Sequence, residues 1–268
     1  GDLSARRNHL RKYAMSTLGV PSAPTSHTGS VKEPLHLYCL PYAGGSGRVF
    51  ANWQKLFPPE IKVCCIDYPG HGARRSEPLL DRIDRIADGL AREIASRSHA
   101  RYVLFGHSMG SLVGFEACHQ LARYGAQLPE LLAVSGHGGP RVPRSSPPMH
   151  AVPDDQFIAH LRELGATPPE ILATRELMEL LLPLLRADFR ACETYEPSWN
   201  RKLAVPIAVY GGVDDEDADI AALRGWQSET SGTCVVRMFP GDHFFIADQA
   251  EAVASSLLHD MRETGLRS

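Results

Sequence analysis

The sequence lacks the patterns that mark several large classes of protein. It has no apolar run near the ~18 residues of a transmembrane helix, and no recognisable signal peptide. Its formal net charge is −3, so it lacks the basic excess of a nucleic-acid-binding protein. It also lacks internal repeats and low-complexity segments. We therefore expect a globular protein that acts without a membrane or a nucleic acid.

The cysteines lack the spacing of a metal site or a redox motif. The six cysteines include no Cys-x-x-Cys pair, and most of them lie inside apolar runs: Cys39, Cys64, Cys65, Cys118, Cys192 and Cys234. Such cysteines are typical of small buried hydrophobic residues in a reducing compartment. We expect no bound metal and a cytoplasmic location.

Two glycine-rich nucleotide-binding motifs are also absent. The chain has neither Gly-x-Gly-x-x-Gly nor Gly-x-x-x-x-Gly-Lys, although a glycine-rich segment, Pro41–Ser46, follows the first predicted strand. A phosphate-binding loop is thus a weak alternative for that segment. We expect no cofactor.

What the chain does have is an alternation of strand and helix patterns after a polar start. Residues 1–33 show no sustained periodicity, which indicates a flexible N-terminal arm or an expression remnant, and residues 34–268 form one domain. The predicted strands are Leu35–Leu40, Ile61–Ile66, Tyr102–Phe105, Leu131–Ser135, Val205–Tyr210 and Cys234–Phe239. The predicted helices are Arg48–Phe57, Ile83–Arg97, Met109–Arg123, Ala218–Glu229 and Gln249–Met261. The alternation predicts an α/β fold, a mostly parallel central sheet flanked by helices, with its site at the carboxyl ends of the strands.

One segment, residues 154–195, interrupts this alternation with helical patterns only. They cover Asp154–Leu164 and Arg175–Tyr195, the second with Pro183 inside it. The run from Leu177 to Leu185 is too apolar for a solvent-exposed loop. We expect a helical lid insertion that lines an acyl pocket; ordinary core helices are the alternative.

A candidate nucleophile lies directly after the strand Tyr102–Phe105. The next residues are Gly106-His107-Ser108-Met109-Gly110, followed by a buried helix pattern. A Gly-x-Ser-x-Gly between a strand and a helix is the nucleophile elbow of the α/β-hydrolase fold. Its turn is too tight for side chains at Gly106 and Gly110, and Ser108 must adopt strained backbone geometry there.

A base and an acid for this serine follow later strands, in the order Ser, acid, His that the fold requires. His243 follows a strand and a Pro-Gly turn near the C-terminus, which makes it the candidate base. Asp214 and Asp215 both follow the preceding strand, and the residues alone do not separate them. The common Gly-x-x-Asp pattern, counted from Gly212, favours Asp215 as the acid.

Three further histidines lie close to the predicted site. His71 and His137 follow strands, where a supporting or surface role is expected for each. His107 occupies the variable position of the elbow and is expected to point elsewhere.

The oxyanion of an acyl-transfer reaction needs two preorganised N–H donors. One is expected from the backbone of Met109, directly after the nucleophile, and the other from the glycine-rich loop, where Ala43 is our choice.

Several motifs, in this order, resemble the type II thioesterases of polyketide and nonribosomal peptide assembly lines and the medium-chain fatty acid synthase thioesterase. They are Leu40-Pro41-Tyr42-Ala43-Gly44-Gly45-Ser46, Asp67-Tyr68-Pro69-Gly70-His71-Gly72-Ala73-Arg74, Phe105–Gly110, Leu184–Phe189 and Gly241-Asp242-His243-Phe244-Phe245. The resemblance implies an enzyme that hydrolyses acyl thioesters on the phosphopantetheine arm of an acyl or peptidyl carrier protein, removing stalled or misprimed groups. Nothing in the sequence argues against a monomer, which is our expectation. It also implies the triad Ser108, Asp215 and His243, with Ala43 and Met109 at the oxyanion. Glu216 departs from the proline that relatives often have after the acid, which weakens the choice between Asp214 and Asp215.

Some alternatives stay open at this stage. A chain-releasing thioesterase or a general carboxylesterase would use the same triad, and a non-catalytic acyl-binding scaffold would use none of it. Carrier proteins are usually acidic, so Arg74, Arg75, Arg141 and Arg144 are candidates for steering one to the site, with scattered solvated arginines as the alternative.

Overall fold

The computed structural model describes residues 34–97, 101–144, 146–165 and 167–265, and the predicted arm at 1–33 lies outside them. One six-stranded sheet, entirely parallel, has the order β2-β1-β3-β4-β5-β6. Its strands are β1 (Leu35–Leu40), β2 (Ile61–Cys65), β3 (Tyr102–His107), β4 (Leu132–Ser135), β5 (Ile207–Gly212) and β6 (Cys234–Phe239). The predicted parallel α/β architecture is confirmed.

The burial of each strand explains its place in the sheet. Every residue of β3, β4 and β5 is buried, because helices cover both faces of the sheet. The edge strands β2 and β6 keep partly exposed positions. The fifth strand begins at Ile207 rather than at the predicted Val205, since Pro206 between them has no N–H for a ladder hydrogen bond.

Eight α-helices lie in the described chain, and most of them flank the sheet. They are α1 (Ile83–Ser96), α2 (Met109–Arg123), α3 (Asp154–Leu164), α4 (Pro169–Leu172), α5 (Arg175–Glu193), α6 (Ile220–Arg224), α7 (Phe245–Asp248) and α8 (Ala250–Glu263). Helices α1 and α2 share one apolar cluster with one face of the sheet, and α8 packs in a second cluster on the other face. None of the described helices is both long and apolar enough to cross a bilayer.

Two helix predictions were wrong, one in the type of helix and the other in its length. The segment predicted as Arg48–Phe57 forms two 3₁₀-helices, Gly47–Phe50 and Trp53–Leu56. Phe50 and Trp53 are buried three positions apart, a spacing that suits three residues per turn. The segment predicted as Ala218–Glu229 contains only the short α6, followed by a 3₁₀ turn.

The end of α6 lies close to the backbone of another loop. A side chain on Gly139 would overlap the backbone of Gly225, so this approach requires glycine at position 139. Gly225 is itself a poor residue for continuing a helix.

The insertion has its predicted helical content. Helix α3 has its predicted bounds, α5 ends at Glu193 instead of Tyr195 and continues through Pro183, and the short α4 lies between them. A separate apolar cluster forms inside this insertion, around Phe157, Leu161, Leu172, Met178 and Leu185. We call α3 to α5 the lid.

Candidate active site

Ser108 lies between β3 and α2 in the strained conformation that the elbow pattern predicts. Its φ is +53° and its ψ is −114°, and no other described residue besides glycine has a positive φ. Such a backbone costs on the order of 1–3 kcal/mol and must be held by its surroundings. Its N–H donates to the carbonyl of Ser135 at the end of β4, at 2.7 Å, which ties the elbow to the neighbouring strand.

The glycines that flank the serine are required by close backbone contacts. A side chain on Gly106 would overlap the carbonyl oxygen of Gly110, and one on Gly110 would overlap the carbonyl oxygen of Leu40. The start of α2 therefore packs directly against β3 and β1.

His243, which is partly exposed, pairs with the buried carboxylate of Asp215 and lines the same cavity as the serine. The two side chains follow β6 and β5, which are adjacent strands, and Nδ1 of His243 lies 2.8 Å from Oδ2 of Asp215. The other oxygen of Asp215 accepts the N–H groups of Asp217 and Ala218, at 3.1 and 3.2 Å. These bonds satisfy both carboxyl oxygens in a site where the Asp215 side chain is only 2% exposed.

Asp214, the alternative acid, is exposed at the surface. Its backbone N–H donates to the carbonyl of Gly241 at 3.0 Å. The geometry therefore pairs Asp215, and not Asp214, with the histidine.

His107 does not point away from the site, contrary to our expectation. It is fully buried, its Nδ1 lies 2.9 Å from Oγ of Ser135, and its ring centroid is 5.3 Å from that of His243. Burial, with the nearby charge of His243 as a lesser cause, holds the pKa of His107 well below its usual value. A neutral ring therefore supports His243 from the interior of the protein.

Aromatic rings complete the surroundings of His243. Phe244 contacts it edge to face with centroids 5.0 Å apart, and Tyr42 contacts Phe244 in the same way at 5.1 Å. These contacts limit the movement of the imidazole without using its second nitrogen.

The two predicted oxyanion donors come from two different segments, the start of α2 and the loop after β1. Met109 is fully buried as the first residue of α2, where helix N–H groups point outward and favour negative charge. Ala43 is half-buried in the loop after β1 and, with Ser108 and His243, lines one cavity of about 510 Å³.

The lid supplies part of the remaining wall of this cavity, and the loop after β4 supplies more of it. His160 and Leu164 line it from α3, and Phe189, Cys192 and Glu193 from α5. The expected role of the insertion, lining a pocket above the nucleophile, agrees with this arrangement.

The two other histidines of interest have different environments. His137 lines the cavity, and its Nδ1 lies 2.7 Å from the carbonyl oxygen of Gly138. His71 is buried against Asp188 of α5, with Nε2 and Oδ2 2.8 Å apart. Within the described part of the chain, neither histidine forms a hydrogen bond with His243 or Asp215.

Sequence reasoning missed Asp188 as a residue of interest. A usable signal was present, because Leu185, Asp188 and Ala191 recur at three-residue spacing on α5 and are all buried. A carboxylate in the buried stripe of a helix indicates a specific partner elsewhere in the fold.

No cluster of metal-ligating side chains occurs within the described ranges. The groups brought together are a strained serine, a histidine with a buried carboxylate, and two backbone donors. This combination can perform acyl transfer through a covalent acyl-serine.

Comparison with known proteins relates the whole domain to one family. The family model of the thioesterase domain matches residues 35–261. The gramicidin S biosynthesis protein GrsT of Aneurinibacillus migulanus is 36% identical over 228 residues, which cover 85% of this chain and 89% of that protein.

Solved structures agree with this relationship. The type II thioesterase BorB from the borrelidin biosynthetic cluster has a TM-score of 0.76 at 32% identity, covering 90% of this chain and 94% of the other. YbtT, a type II thioesterase from the yersiniabactin NRPS/PKS biosynthetic pathway, has a TM-score of 0.79 at 30% identity, covering 88% and 96%.

Proposed function

This chain belongs to the thioesterase domain family, and we propose that it hydrolyses acyl thioesters carried on the phosphopantetheine arm of a carrier protein. In this role it removes stalled or misprimed acyl groups from a polyketide or nonribosomal peptide assembly line. The similarity to BorB and YbtT, both described as type II thioesterases, supports the editing role. The similarity to a gramicidin S biosynthesis protein supports the biosynthetic setting.

One observation carries the proposal: Ser108 and His243 line the same 510 Å³ cavity, which the lid partly encloses, and Asp215 pairs with His243 behind it. A water-excluding cavity strengthens the electrostatic stabilisation of a charged intermediate. Its volume is in the range of sites that bind small organic ligands.

In the proposed first half-reaction, Oγ of Ser108 attacks the thioester carbonyl carbon while His243 takes the hydroxyl proton. Since Nδ1 of His243 faces Asp215, Nε2 is the nitrogen that serves the serine. The N–H groups of Ala43 and Met109 stabilise the oxyanion. The C–S bond then breaks, and the pantetheine thiolate takes the proton from His243.

In the second half-reaction, His243 removes a proton from water, and the resulting hydroxide attacks the acyl-serine. The C–O bond to Ser108 breaks, Ser108 regains its proton from His243, and the carboxylic acid leaves. Asp215 stays ionised throughout and keeps the imidazole in the required orientation and tautomer.

The four arginines considered for carrier steering differ in the charge that they offer. Arg74, Arg141 and Arg144 each pair with a carboxylate, of Glu77, Glu229 and Glu193 respectively, at 2.6, 3.3 and 3.5 Å. Arg75 is exposed beside Arg74. Charge reversal at Arg75 is therefore the sharpest test of steering, with slower turnover of carrier-bound substrate at low salt as the expected result.

We place this activity in the cytoplasm and assign it to a monomer. All six cysteines lie in the described chain and are free, as a reducing compartment requires.

The testing experiment measures hydrolysis of acetyl-, hexanoyl- and decanoyl-loaded carrier protein against the matching free thioesters. Ser108→Ala is the inactive variant, and Ser96→Ala, at the exposed end of α1, is the matched control. Faster turnover on the carrier, lost only in Ser108→Ala, is expected. Preference for oxygen esters without a carrier effect indicates a general carboxylesterase instead. No turnover, with no labelling of Ser108 by a fluorophosphonate, indicates a non-catalytic scaffold.

A further inference from the structure

The oxyanion loop contains a tight turn whose central peptide is held from outside the loop. The N–H of Gly45 donates to the carbonyl of Tyr42 at 2.9 Å, and Gly44 has a φ of +78°. A positive φ at the third residue is the mark of a type II turn. Type I and type II turns differ in the orientation of the central peptide, here the one that joins Ala43 to Gly44. The direction in which the N–H of Gly44 points therefore distinguishes a type II turn from a type I turn at this position.

That N–H donates to a carboxylate of the lid. Oδ2 of Asp188, on α5, accepts it at 2.6 Å, and Asp188 is fully buried. Leu185, one turn earlier on the same helix, fills the space that a side chain on Gly44 would need. Helix α5 thus lies directly on the turn and fixes it through one charged hydrogen bond.

The same carboxylate oxygen faces a histidine from the loop after β2. Nε2 of His71 lies 2.8 Å from Oδ2 of Asp188, and Nδ1 lies 3.0 Å from the carbonyl oxygen of Pro69. Because the carbonyl oxygen and the carboxylate can only accept, both ring nitrogens carry a proton. Burial lowers the pKa of His71, but the hydrogen bond and charge of Asp188 outweigh it, and the net pKa is raised.

This buried ion pair is a costly way to stabilise a fold. Oδ1 of Asp188 is buried and has no hydrogen-bond partner among the residues that the structure describes. An incompletely satisfied charge in the interior is weak evidence for stability, and apolar residues of similar size often replace such pairs without loss. A role beyond packing is therefore expected for the pair, and among the described residues Asp188 accepts a backbone hydrogen bond from another element at the oxyanion turn.

We propose that Asp188 is a positioning residue of the oxyanion hole. With His71 as its counter-cation, it holds the Gly44 peptide in the type II orientation and so fixes the conformation of Ala43, whose own N–H is one of the two proposed oxyanion donors. This inference rests on the proposed function, because it assigns Asp188 to the same acyl-transfer site. It also makes the lid helix part of the machinery that binds the oxyanion.

The test begins with Asp188→Asn. In the variant a single amide atom faces both donors: an oxygen there lacks the charge that keeps His71 protonated, and a nitrogen there cannot accept from Gly44. We expect kcat to fall by about 10- to 100-fold, the scale of losses from misplaced catalytic groups, with little change in KM. Circular dichroism and thermal unfolding check that the variant is folded.

A transition-state readout separates positioning from a merely structural role. A trifluoromethyl ketone forms a hemiketal with Ser108, and ¹⁹F NMR follows its ionisation to the oxyanion. We expect the hemiketal of Asp188→Asn to ionise at higher pH than that of the unmodified protein. Its affinity is expected to fall by the same factor as kcat. A loss of stability alone would change neither quantity per folded molecule.

Two further variants complete the design. Glu179→Gln is the matched acid-to-amide control on α5, since that side chain is 61% exposed and pairs only with Arg175 among the recorded contacts. His71→Gln leaves the carboxylate in place and can still donate to it, so its loss of kcat is expected to be smaller. The loss in the double variant is expected to be less than the product of the two single losses, because both act through one contact.

A folded Asp188→Asn with unchanged kcat, or with unchanged hemiketal ionisation, overturns the inference. If Asp188→Asn does not fold, His71→Gln decides in its place, and an unchanged kcat there overturns the inference equally. Parallel assays with p-nitrophenyl acetate separate this result from the proposed function. If only the ester is hydrolysed, the carrier thioesterase proposal fails, while the effect of Asp188→Asn is still measured on the ester.

Discussion

The carboxyl edge of the sheet and the lid are held by different kinds of interaction. Ser108, Asp215 and His243 follow β3, β5 and β6, and the central strands beneath them are buried at every residue. The lid has a small apolar cluster of its own. Its recorded polar contacts to the sheet domain include Asp188 with Gly44 and His71, and Arg190 with Asp81 at 3.0 Å.

The difference assigns separate tasks to the two regions. Ladder hydrogen bonds and apolar packing along the whole strand hold the reacting groups, so their spacing tolerates little movement. The lid joins the sheet domain through Ala191, which packs in the main apolar cluster, and through directional contacts between a few side chains, so its position depends on fewer residues. We expect substitutions at the sheet edge to act on the chemical step and substitutions on the lid to act on stability or on the oxyanion loop.

The largest predicted effect compares the two carboxylates that follow β5. Asp215→Asn leaves a site of the same shape but removes the charge that orients His243, and we expect kcat to fall by about 10⁴-fold. Asp214→Asn, on an exposed residue one position earlier, is the matched control and is expected to keep its activity. If the two variants lose kcat equally when assayed with acyl-loaded carrier protein, the assignment of Asp215 as the acid is contradicted.

The second prediction tests the rigidity of the elbow. Gly106→Ala forces a side chain into the carbonyl oxygen of Gly110, and we expect it to lower the free energy of unfolding by about 3 kcal/mol. Gly89→Ala, inside α1 where nothing lies near the added carbon, is expected to raise it by about 0.5–1 kcal/mol. Urea denaturation measures the free energy of unfolding of both variants. An unchanged value for Gly106→Ala would contradict the rigid packing that we assign to the elbow.

The third prediction concerns packing within the lid. Leu185→Ala removes a side chain that is 6% exposed, and we expect a loss of about 2 kcal/mol in the free energy of unfolding. Leu180→Ala, at a position 76% exposed on the same helix, is expected to change it by less than about 0.5 kcal/mol. If the two variants have the same midpoint temperature of thermal unfolding, the apolar cluster of the lid does not contribute to the stability of the fold.

The fourth prediction concerns a pH dependence in the core, which is absent near neutral pH and develops only in acid. His119 on α2 is buried between Phe115 and Trp199, and burial lowers its pKa to about 4. The unfolded chain therefore binds the proton more tightly, so the protein loses up to about 1.4 kcal/mol per pH unit as the pH falls from about 6.5 toward that value. His119→Phe keeps an aromatic ring there and is expected to flatten this part of the stability curve. An unchanged acid slope in urea titrations would show that His119 does not cause it.

The element order and the identity of the elbow could be predicted from the chain because they depend on local patterns. Runs of apolar residues gave the strands to within two residues, and Gly106 and Gly110 marked a turn that only glycine permits. The short helical segments after β1 and before β6 could not be predicted in the same way. Their pitch depends on which residues meet the core, as the buried side chains of Phe50, Trp53 and Trp226 show.

By itself, the sequence determined the parallel α/β architecture, the position of Ser108 and the candidates for its partners, since each follows from neighbours along the chain. Only the tertiary structure decided between Asp214 and Asp215, turned His107 toward His243, and joined Asp188 to His71 across 117 positions. Such contacts depend on how separate elements pack, and no local periodicity encodes the distance between two side chains on different elements. The catalytic roles of Ser108, Asp215, His243, Ala43 and Met109 stay predictions, which the variants above test.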